Sequence, residues 1–179
     1  MGDPRKARKK YITPNHPWKQ DRIVEEKKLI TEYGLKNHIE LWKINFMIKG
    51  FKNRAKELIF RDDESGAKEK DVLLSKLRKF GLTSETSTVN DVFNLNIRQF
   101  LDRRLETLLV KKGLAKTMRQ ARQFISHGHV VIDDRKITSP SYLVTKKEEG
   151  RISFNVSSSL FKEDHPERVK ITGPSGEKA

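Results

Sequence analysis

The chain has 179 residues, with 38 Lys or Arg against 24 Asp or Glu, so its formal net charge is +14 and its pI is near 10.0. This cationic excess favours a polyanionic partner, with nucleic acid first and an anionic membrane surface second. The sequence has no cysteine and no apolar run of about 18 residues, which excludes disulfides, thiolate metal sites and a membrane-spanning helix. The N-terminal residues lack the apolar stretch of a secretory signal, so we expect a soluble, cytoplasmic protein.

The first segment, residues 1–17, is predicted to be a basic arm. Its three prolines disfavour a helix, and it carries no apolar periodicity. The arm is either a solvated tail or a strand of positive charge that lies along phosphates, and the net charge of the chain favours the second interpretation. Its candidate RNA-binding residues are Arg5, Lys6, Arg8, Lys9 and Lys10.

Residues 18–96 are predicted to form a helical region, with helices at 18–33, 38–61 and 69–80 and a short turn at 89–93. The middle helix has apolar residues at spacings of three and four, which place them on one buried face. Trp42 and Phe46 lie beside that face, where a core role is favoured over base stacking. The third helix follows a polar break that contains Gly66. The inward residues of this third helix are predicted to be Val72, Leu73, Leu77 and Phe80.

Residues 97–157 are predicted to form a small domain in which two short helices pack on a small, mostly antiparallel sheet. The first helix is predicted at 97–112, and the second at 118–127 after the capping pair Thr117 and Gln120. Asp133-Asp134 lies between two β-rich runs and predicts a tight hairpin, since aspartate tolerates positive φ. The runs "SYLV" and "RISFNV" predict two further strands around the acidic turn "KKEEG", and residues 158–179 form a polar tail. The predicted fold class is therefore α+β, mainly helical in its N-terminal region.

The second helix of this domain is strongly cationic on its outer side. Between Arg98 and His127 there are eight Lys or Arg residues and two acids. Arg119 and Arg122 are three residues apart, so we expect them to be neighbours on one outer face. Guanidinium groups suit phosphate recognition, and folded RNA is read largely by shape and backbone. This surface also includes Lys116, Gln123, His127 and His129.

The stretch from Phe100 to Phe154, "FLDRRLETLLVKKGLAKTMRQARQFISHGHVVIDDRKITSPSYLV" and the strand after it, resembles a known RNA-binding domain. That domain occurs in the fourth protein of the small ribosomal subunit, in pseudouridine synthases and in a bacterial tyrosyl-tRNA synthetase. The segments "DPRKARKKYITPNHPW" and "YGLKNHIELWK" look like the arm and first helices of the archaeal and eukaryotic form of the ribosomal protein. The resemblance covers nearly all of residues 3–160.

This resemblance implies a structural constituent of the small subunit that binds 16S ribosomal RNA directly in its 5′ domain and nucleates assembly. It also implies a position beside the fifth small-subunit protein, near the channel through which messenger RNA enters, with an influence on decoding accuracy. No cofactor, metal or small-molecule substrate is expected. The residues carried over to the RNA face are Arg103, Arg104, Arg122, Gln123 and His127.

Two other classes of protein could contain such a domain. An enzyme carrying this domain as an appendage needs a catalytic domain larger than the helical half, and neither a phosphate loop nor a nucleophile motif is present. A heat-shock or RNA-quality-control protein built on the same domain would not be expected to share the N-terminal arm. His127 and His129 alone are weak evidence for a metal site, since a third ligand is missing.

Overall fold

The structure, a computed structural model, describes residues 8–61, 63–162 and 165–168. Arg5, Lys6 and most of the predicted tail therefore lie outside the described residues. The described part confirms the predicted α+β class. Its helices are α1 Gln20–Glu32, α2 His38–Ile59, α3 Glu64–Phe80, α4 Ile97–Asp102, α5 Leu105–Lys111, α6 Met118–Ser126 and α7 Lys146–Glu149; its strands are β1 Val130–Ile132, β2 Arg135–Lys136 and β3 Ile152–Phe154; 3₁₀ turns lie at Val89–Asn94 and Ser159–Phe161.

Helix α2 forms the centre of the N-terminal half. It begins where the Asn37 side chain accepts a hydrogen bond from the backbone N–H of Glu40 at 3.2 Å, so one unpaired donor of the first turn is satisfied. The predicted apolar face is confirmed, because it packs in a core formed with α1, α3, the first 3₁₀ turn and α4. The buried residues of α2 are Leu41, Ile44, Ile48, Ala55 and Leu58.

Helix α3 differs from its prediction at both its start and its buried face. It begins at Glu64 rather than residue 69, and Gly66 lies within it. A Cβ atom on Gly66 would come within 2.9 Å of the Arg61 carbonyl oxygen, so this glycine permits a close backbone approach and does not end an element. The prediction that Val72 points inward is wrong: Val72 is 66% exposed, and Leu74 is buried in its place.

The predicted helix 97–112 is broken at Arg103–Arg104, which separates α4 from α5. The break is made by a distant segment. The Leu105 N–H donates to the Tyr142 carbonyl at 2.9 Å, and the Val144 N–H donates to the Arg103 carbonyl at 3.0 Å. The run "SYLV" thus contributes a single bridge, from Leu143 to Arg104, instead of the strand that we predicted.

The sheet has the order β2-β1-β3 with antiparallel pairs throughout the described strands. Asp133 and Asp134 form the predicted two-residue turn, with φ angles of 47° and 64°. The predicted acidic turn is instead the short helix α7, because Thr145 and Glu148 form a reciprocal capping box. A second core joins α5, α6 and the sheet. The predicted domain boundaries, 1–17, 18–96, 97–157 and 158–179, stay predictions.

Candidate nucleic-acid interface

Helix α6 is held in place at both ends. The Thr117 hydroxyl accepts a hydrogen bond from the Gln120 N–H at 3.2 Å, and the Gln120 side chain accepts one from the Lys116 N–H at 2.8 Å. The helix ends at Ser126, and Gly128 follows with a φ of 74°, which suits glycine. Ala121, Phe124 and Ile125 are buried in the second core. The outer side of α6 is therefore a fixed surface.

Four of the predicted RNA-binding residues share this outer side, and we call them the α6 face: Lys116, Arg119, Gln123 and His127. All four side chains are exposed. Within the described part of the chain, Lys116 and Arg119 form no ion pair, so both charges are available to an external anion. That these four residues contact RNA stays a prediction.

His129 lies at the end of the α6 face but differs from His127 in its surroundings. The two imidazole rings are nearly parallel, with centroids 6.1 Å apart, and the Nδ1 atom of His129 is 2.7 Å from the Ser158 hydroxyl. Burial lowers the pKa of His129 below its ordinary value, and the nearby His127, Lys136 and His165 lower it further. The lowered pKa favours the neutral form of the His129 ring, so we do not count His129 among the charges of the α6 face.

Arg122, predicted to lie beside Arg119, points instead toward α2. Its guanidinium Nη2 atom donates to both carboxylate oxygens of Glu40, at 2.9 and 2.8 Å. Its Nε atom donates to Glu106 at 3.3 Å. The helical geometry of α6 explains the difference, since residues three apart are separated by about 60° around the axis and can serve different surfaces. The prediction that Arg119 and Arg122 share one outer face is therefore wrong.

Arg104 completes this internal cluster, which we call the charge quartet: Glu40, Arg104, Glu106 and Arg122. The Arg104 side chain is 2% exposed, and its Nη2 atom lies 2.8 Å from Glu40 and 3.3 Å from Glu106. A side chain in this position cannot reach a phosphate without leaving the protein interior. The structure thus places Arg104 in the interior, although we expected it on the RNA face.

The charges of the quartet compensate one another. Burial alone would raise the pKa of Glu40, but the hydrogen bonds and charges of Arg122 and Arg104 outweigh it and lower that pKa. Burial likewise acts to lower the pKa of Arg122, yet its bonds to Glu40 and Glu106 raise it. Burial raises the pKa of Glu106, whose carboxylate faces the same two arginines. The quartet therefore joins α2 of the N-terminal half to α5 and α6.

Sequence reasoning missed Glu40 and Glu106 as partners of the predicted arginines. Glu40 and Arg122 are 82 residues apart, and no local pattern connects positions at that distance. Glu106 offered one signal: it lies in the apolar run "LETLLV", where an acid needs a partner. Neither the identity nor the direction of that partner could be read from the spacing.

Arg103 is also held inside the protein. Its Nη1 atom donates to Glu149 at 2.7 Å and its Nη2 atom to the Val144 carbonyl at 3.0 Å. The side chain is 15% exposed, so these bonds fix the connection between α4 and α7. Arg103 is therefore better suited to holding the Tyr142–Val144 segment than to contacting a ligand.

The described part of the arm is exposed and cationic. Arg8, Lys9 and Lys10 all face solvent, and the Tyr11 ring lies 6.3 Å from the Trp42 ring. This aromatic contact sets where the arm meets α2. Among the described residues there is no group of three His, Cys, Asp or Glu side chains arranged to hold a metal, and no helix is long and apolar enough to cross a membrane.

The comparison with known proteins agrees with this architecture. A family profile described as "S4 domain" matches residues 103–149, which comprise α5, α6, the hairpin and α7. The fold and the cationic helix thus define the chain as an S4-domain protein. Small ribosomal subunit protein uS4 from Picrophilus torridus is 44% identical over 180 residues, covering 99% of this chain and 98% of the relative. The proteins of the same name from Ignicoccus hospitalis and Methanococcus aeolicus are each 46% identical, covering 90% and 94% of this chain and 98% and 96% of those relatives.

The chain belongs to the family of the small ribosomal subunit protein uS4, in its archaeal form. The names of these relatives confirm the prediction of a structural ribosomal protein of the cytoplasm that is not an enzyme. The match extends through the N-terminal half and the described part of the arm, and a heat-shock or RNA-quality-control protein with the same domain was not expected to share that arm.

Proposed function

We propose that the chain binds small-subunit ribosomal RNA directly, as a structural constituent of the subunit, with the α6 face and the basic arm as its phosphate contacts. The observation that carries this proposal is the α6 face itself. It presents Lys116, just before α6, and Arg119, on α6, and neither side chain forms an ion pair with another residue that the structure describes. A rigid cationic edge suits a folded polyanion whose phosphates have fixed positions.

The recognition would depend mainly on charge and shape. Double-stranded RNA has a deep, narrow major groove that side chains cannot read, so proteins contact its backbone and the edges of its shallow groove. Arg119 can bind two phosphate oxygens with its planar guanidinium, whereas Lys116 acts as a point charge. Gln123 adds donors that suit a phosphate or a 2′-hydroxyl. His127 can donate a ring N–H to a phosphate oxygen.

The arginines that are bonded inside the protein and the exposed Arg119 have different proposed roles. The arginines of the charge quartet join α2 of the N-terminal half to the S4 domain, and Arg103 holds the residues around Val144 within that domain. Arg119 is exposed and is the arginine proposed to contact RNA. We therefore keep Lys116, Arg119, Gln123, His127, Arg8, Lys9 and Lys10 as proposed contacts in the described chain. Arg5 and Lys6 remain proposed contacts outside the described residues. His129, Arg103, Arg104 and Arg122 are proposed to act indirectly, by holding this surface.

The family resemblance supports a more detailed proposal. We infer that the RNA site lies in the 5′ domain of 16S ribosomal RNA and that binding occurs early enough to nucleate assembly of the subunit body. The neighbour would be the fifth small-subunit protein, close to the channel through which messenger RNA enters, where the chain contributes to decoding accuracy. These inferences rest on the family alone.

The α6 face is tested by reversing its two charges. Lys116→Glu with Arg119→Glu should weaken binding to a 5′-domain transcript by at least about tenfold, because two phosphate contacts become repulsive. The matched control is Lys49→Glu with Lys56→Glu, which makes the same change in net charge at exposed positions of α2. Affinity is measured by filter binding. Equal losses in both variants would show that only total charge matters, and unchanged affinity in the first would place the site elsewhere.

A further inference from the structure

Trp18 is the most exposed of the large apolar residues that the structure describes. Its side chain is 89% exposed, just before the start of α1. By contrast, the other tryptophan, Trp42, is partly buried and donates its indole N–H to Glu26 at 3.3 Å. A large aromatic ring left in water on a fixed segment is suited to a partner that covers it.

The segment that carries Trp18 is held by hydrogen bonds from the Arg22 side chain. The Nη2 atom of Arg22 donates to the carbonyl oxygens of His16 and Pro17, at 3.2 and 2.9 Å. Its Nη1 atom donates to the buried carboxylate of Glu26 at 3.3 Å. Glu26 in turn bonds to Trp42 and lies 2.9 Å from His38 on α2. The backbone immediately before Trp18 is thus tied to two helices while the indole ring itself remains open.

The surroundings of Trp18 are positively charged. Residues 8–19 contain Arg8, Lys9, Lys10 and Lys19 and no Asp or Glu, and these four cations are exposed. The cores of protein–protein interfaces are depleted of lysine, whereas proteins that bind single-stranded nucleic acid combine cationic grooves with aromatic rings. The positive charge and the aromatic ring together favour an unpaired nucleotide, and not an apolar protein surface, as the partner of Trp18.

We propose that Trp18 is a stacking platform for an unpaired base of the bound RNA, with the neighbouring cations holding the phosphates on either side. This inference rests on the proposed ribosomal RNA binding and adds a specific contact to it. Stacking needs only the π face of a base, so the site selects unpaired nucleotides at a loop, bulge or junction and not a particular sequence. The Arg22 contacts serve as positioning elements that keep the ring in place before RNA arrives.

The test compares Trp18→Ala and Trp18→Phe in the full chain, with a 5′-domain transcript as the probe. The alanine variant should bind about 5- to 150-fold more weakly, the range that corresponds to loss of one stacked base, and phenylalanine should restore most of the affinity. The slope of log affinity against log salt should not change, since no charge is removed. Phe60→Ala is the matched control, because Phe60 is 79% exposed at the end of α2.

Fluorescence supplies a direct readout. Since the chain has two tryptophans, the difference between the wild type and Trp18→Phe isolates the signal of Trp18. Stacking predicts that this signal is quenched on adding transcript and becomes less accessible to acrylamide. Wild-type binding with no effect of Trp18→Ala would overturn the stacking site and leave the proposed function intact. Normal RNA affinity with failed incorporation into subunits would assign Trp18 to a protein partner and likewise overturn it. Failure of the wild type to bind the transcript would overturn the proposed function itself.

Discussion

Arg119 and Arg122 show how much the role of one residue depends on a partner that is remote in sequence. Both are arginines of α6, three residues apart, yet Arg119 is exposed while Arg122 bonds to Glu40 and Glu106. Removing a partner from a buried charge cluster leaves an uncompensated charge, which costs more than losing an exposed one. Substitution of Arg122 should therefore mainly lower the stability of the fold, and substitution of Arg119 should mainly lower RNA affinity.

Arg122→Met should lower the free energy of unfolding by about 2–3 kcal/mol, because Glu106 would keep only Arg104 as a cationic partner. Arg119→Met should change it by less than about 0.5 kcal/mol, as expected for an exposed side chain. Arg119→Met should bind the RNA more weakly than Arg122→Met, provided that both affinities are measured under conditions in which each variant is folded. Urea unfolding followed by circular dichroism measures the first quantity. Equal stability of the two variants would refute the internal role of Arg122.

The lowered pKa of Glu40 has a consequence for acid stability. The carboxylate is ionised more readily in the folded chain than in the unfolded chain, whose ordinary value is 4.5. Its contribution is therefore fully present above about pH 4.5 and is lost as the pH falls through the lower folded pKa. Glu40→Gln should have a lower free energy of unfolding than the wild type at pH 7. This difference between the two proteins should become smaller below pH 4.5.

The control for this pH series is Glu64→Gln, since Glu64 is 85% exposed in a surface pair with Lys68. Urea midpoints between pH 7 and pH 3 should give nearly parallel curves for the control and the wild type. A gap for Glu40→Gln that stays constant down to pH 3 would mean that the Glu40 carboxylate gains nothing from its arginine partners.

At the scale of elements, local signals in the sequence placed those features whose partners are near in the chain. Thr117 caps a helix in the structure as the sequence predicts, and Asp133-Asp134 forms the expected turn. The break between α4 and α5 could not be foreseen, since it is made by hydrogen bonds to residues 142–144, about forty positions away. The direction of Arg122 was missed for the same reason.

The cap of α6 gives an element-scale prediction. Thr117→Ala removes the acceptor of the Gln120 N–H and should lower the free energy of unfolding by about 1 kcal/mol. Thr117→Ser keeps the hydroxyl and should retain most of that stability. Because the cap also orders the residues next to Lys116, the alanine variant should bind RNA somewhat more weakly. Thermal unfolding of both variants decides the point, and identical melting temperatures would show that this hydroxyl contributes nothing to α6.

At the scale of the whole molecule, two cores are joined by charge. The first core contains residues of α1 to α4, and the second contains residues of α5, α6 and the sheet. The charge quartet connects α2 to α5 and α6, so internal cations fix the two halves while exposed cations remain for a ligand. The sequence predicted the total charge and the cationic helix, but this division between inner and outer cations required the three-dimensional contacts.

The proposed function depends on contact between the exposed α6 face and ribosomal RNA. Its most direct test is the rate of lysine acetylation, read by mass spectrometry, in the free protein and in its complex with a 5′-domain transcript. Lys116 should react readily in the free chain and become protected in the complex, together with Lys9 and Lys10, while Lys49 and Lys56 of α2 change less. A Lys116 that reacts as fast in the complex as in the free protein would contradict the account.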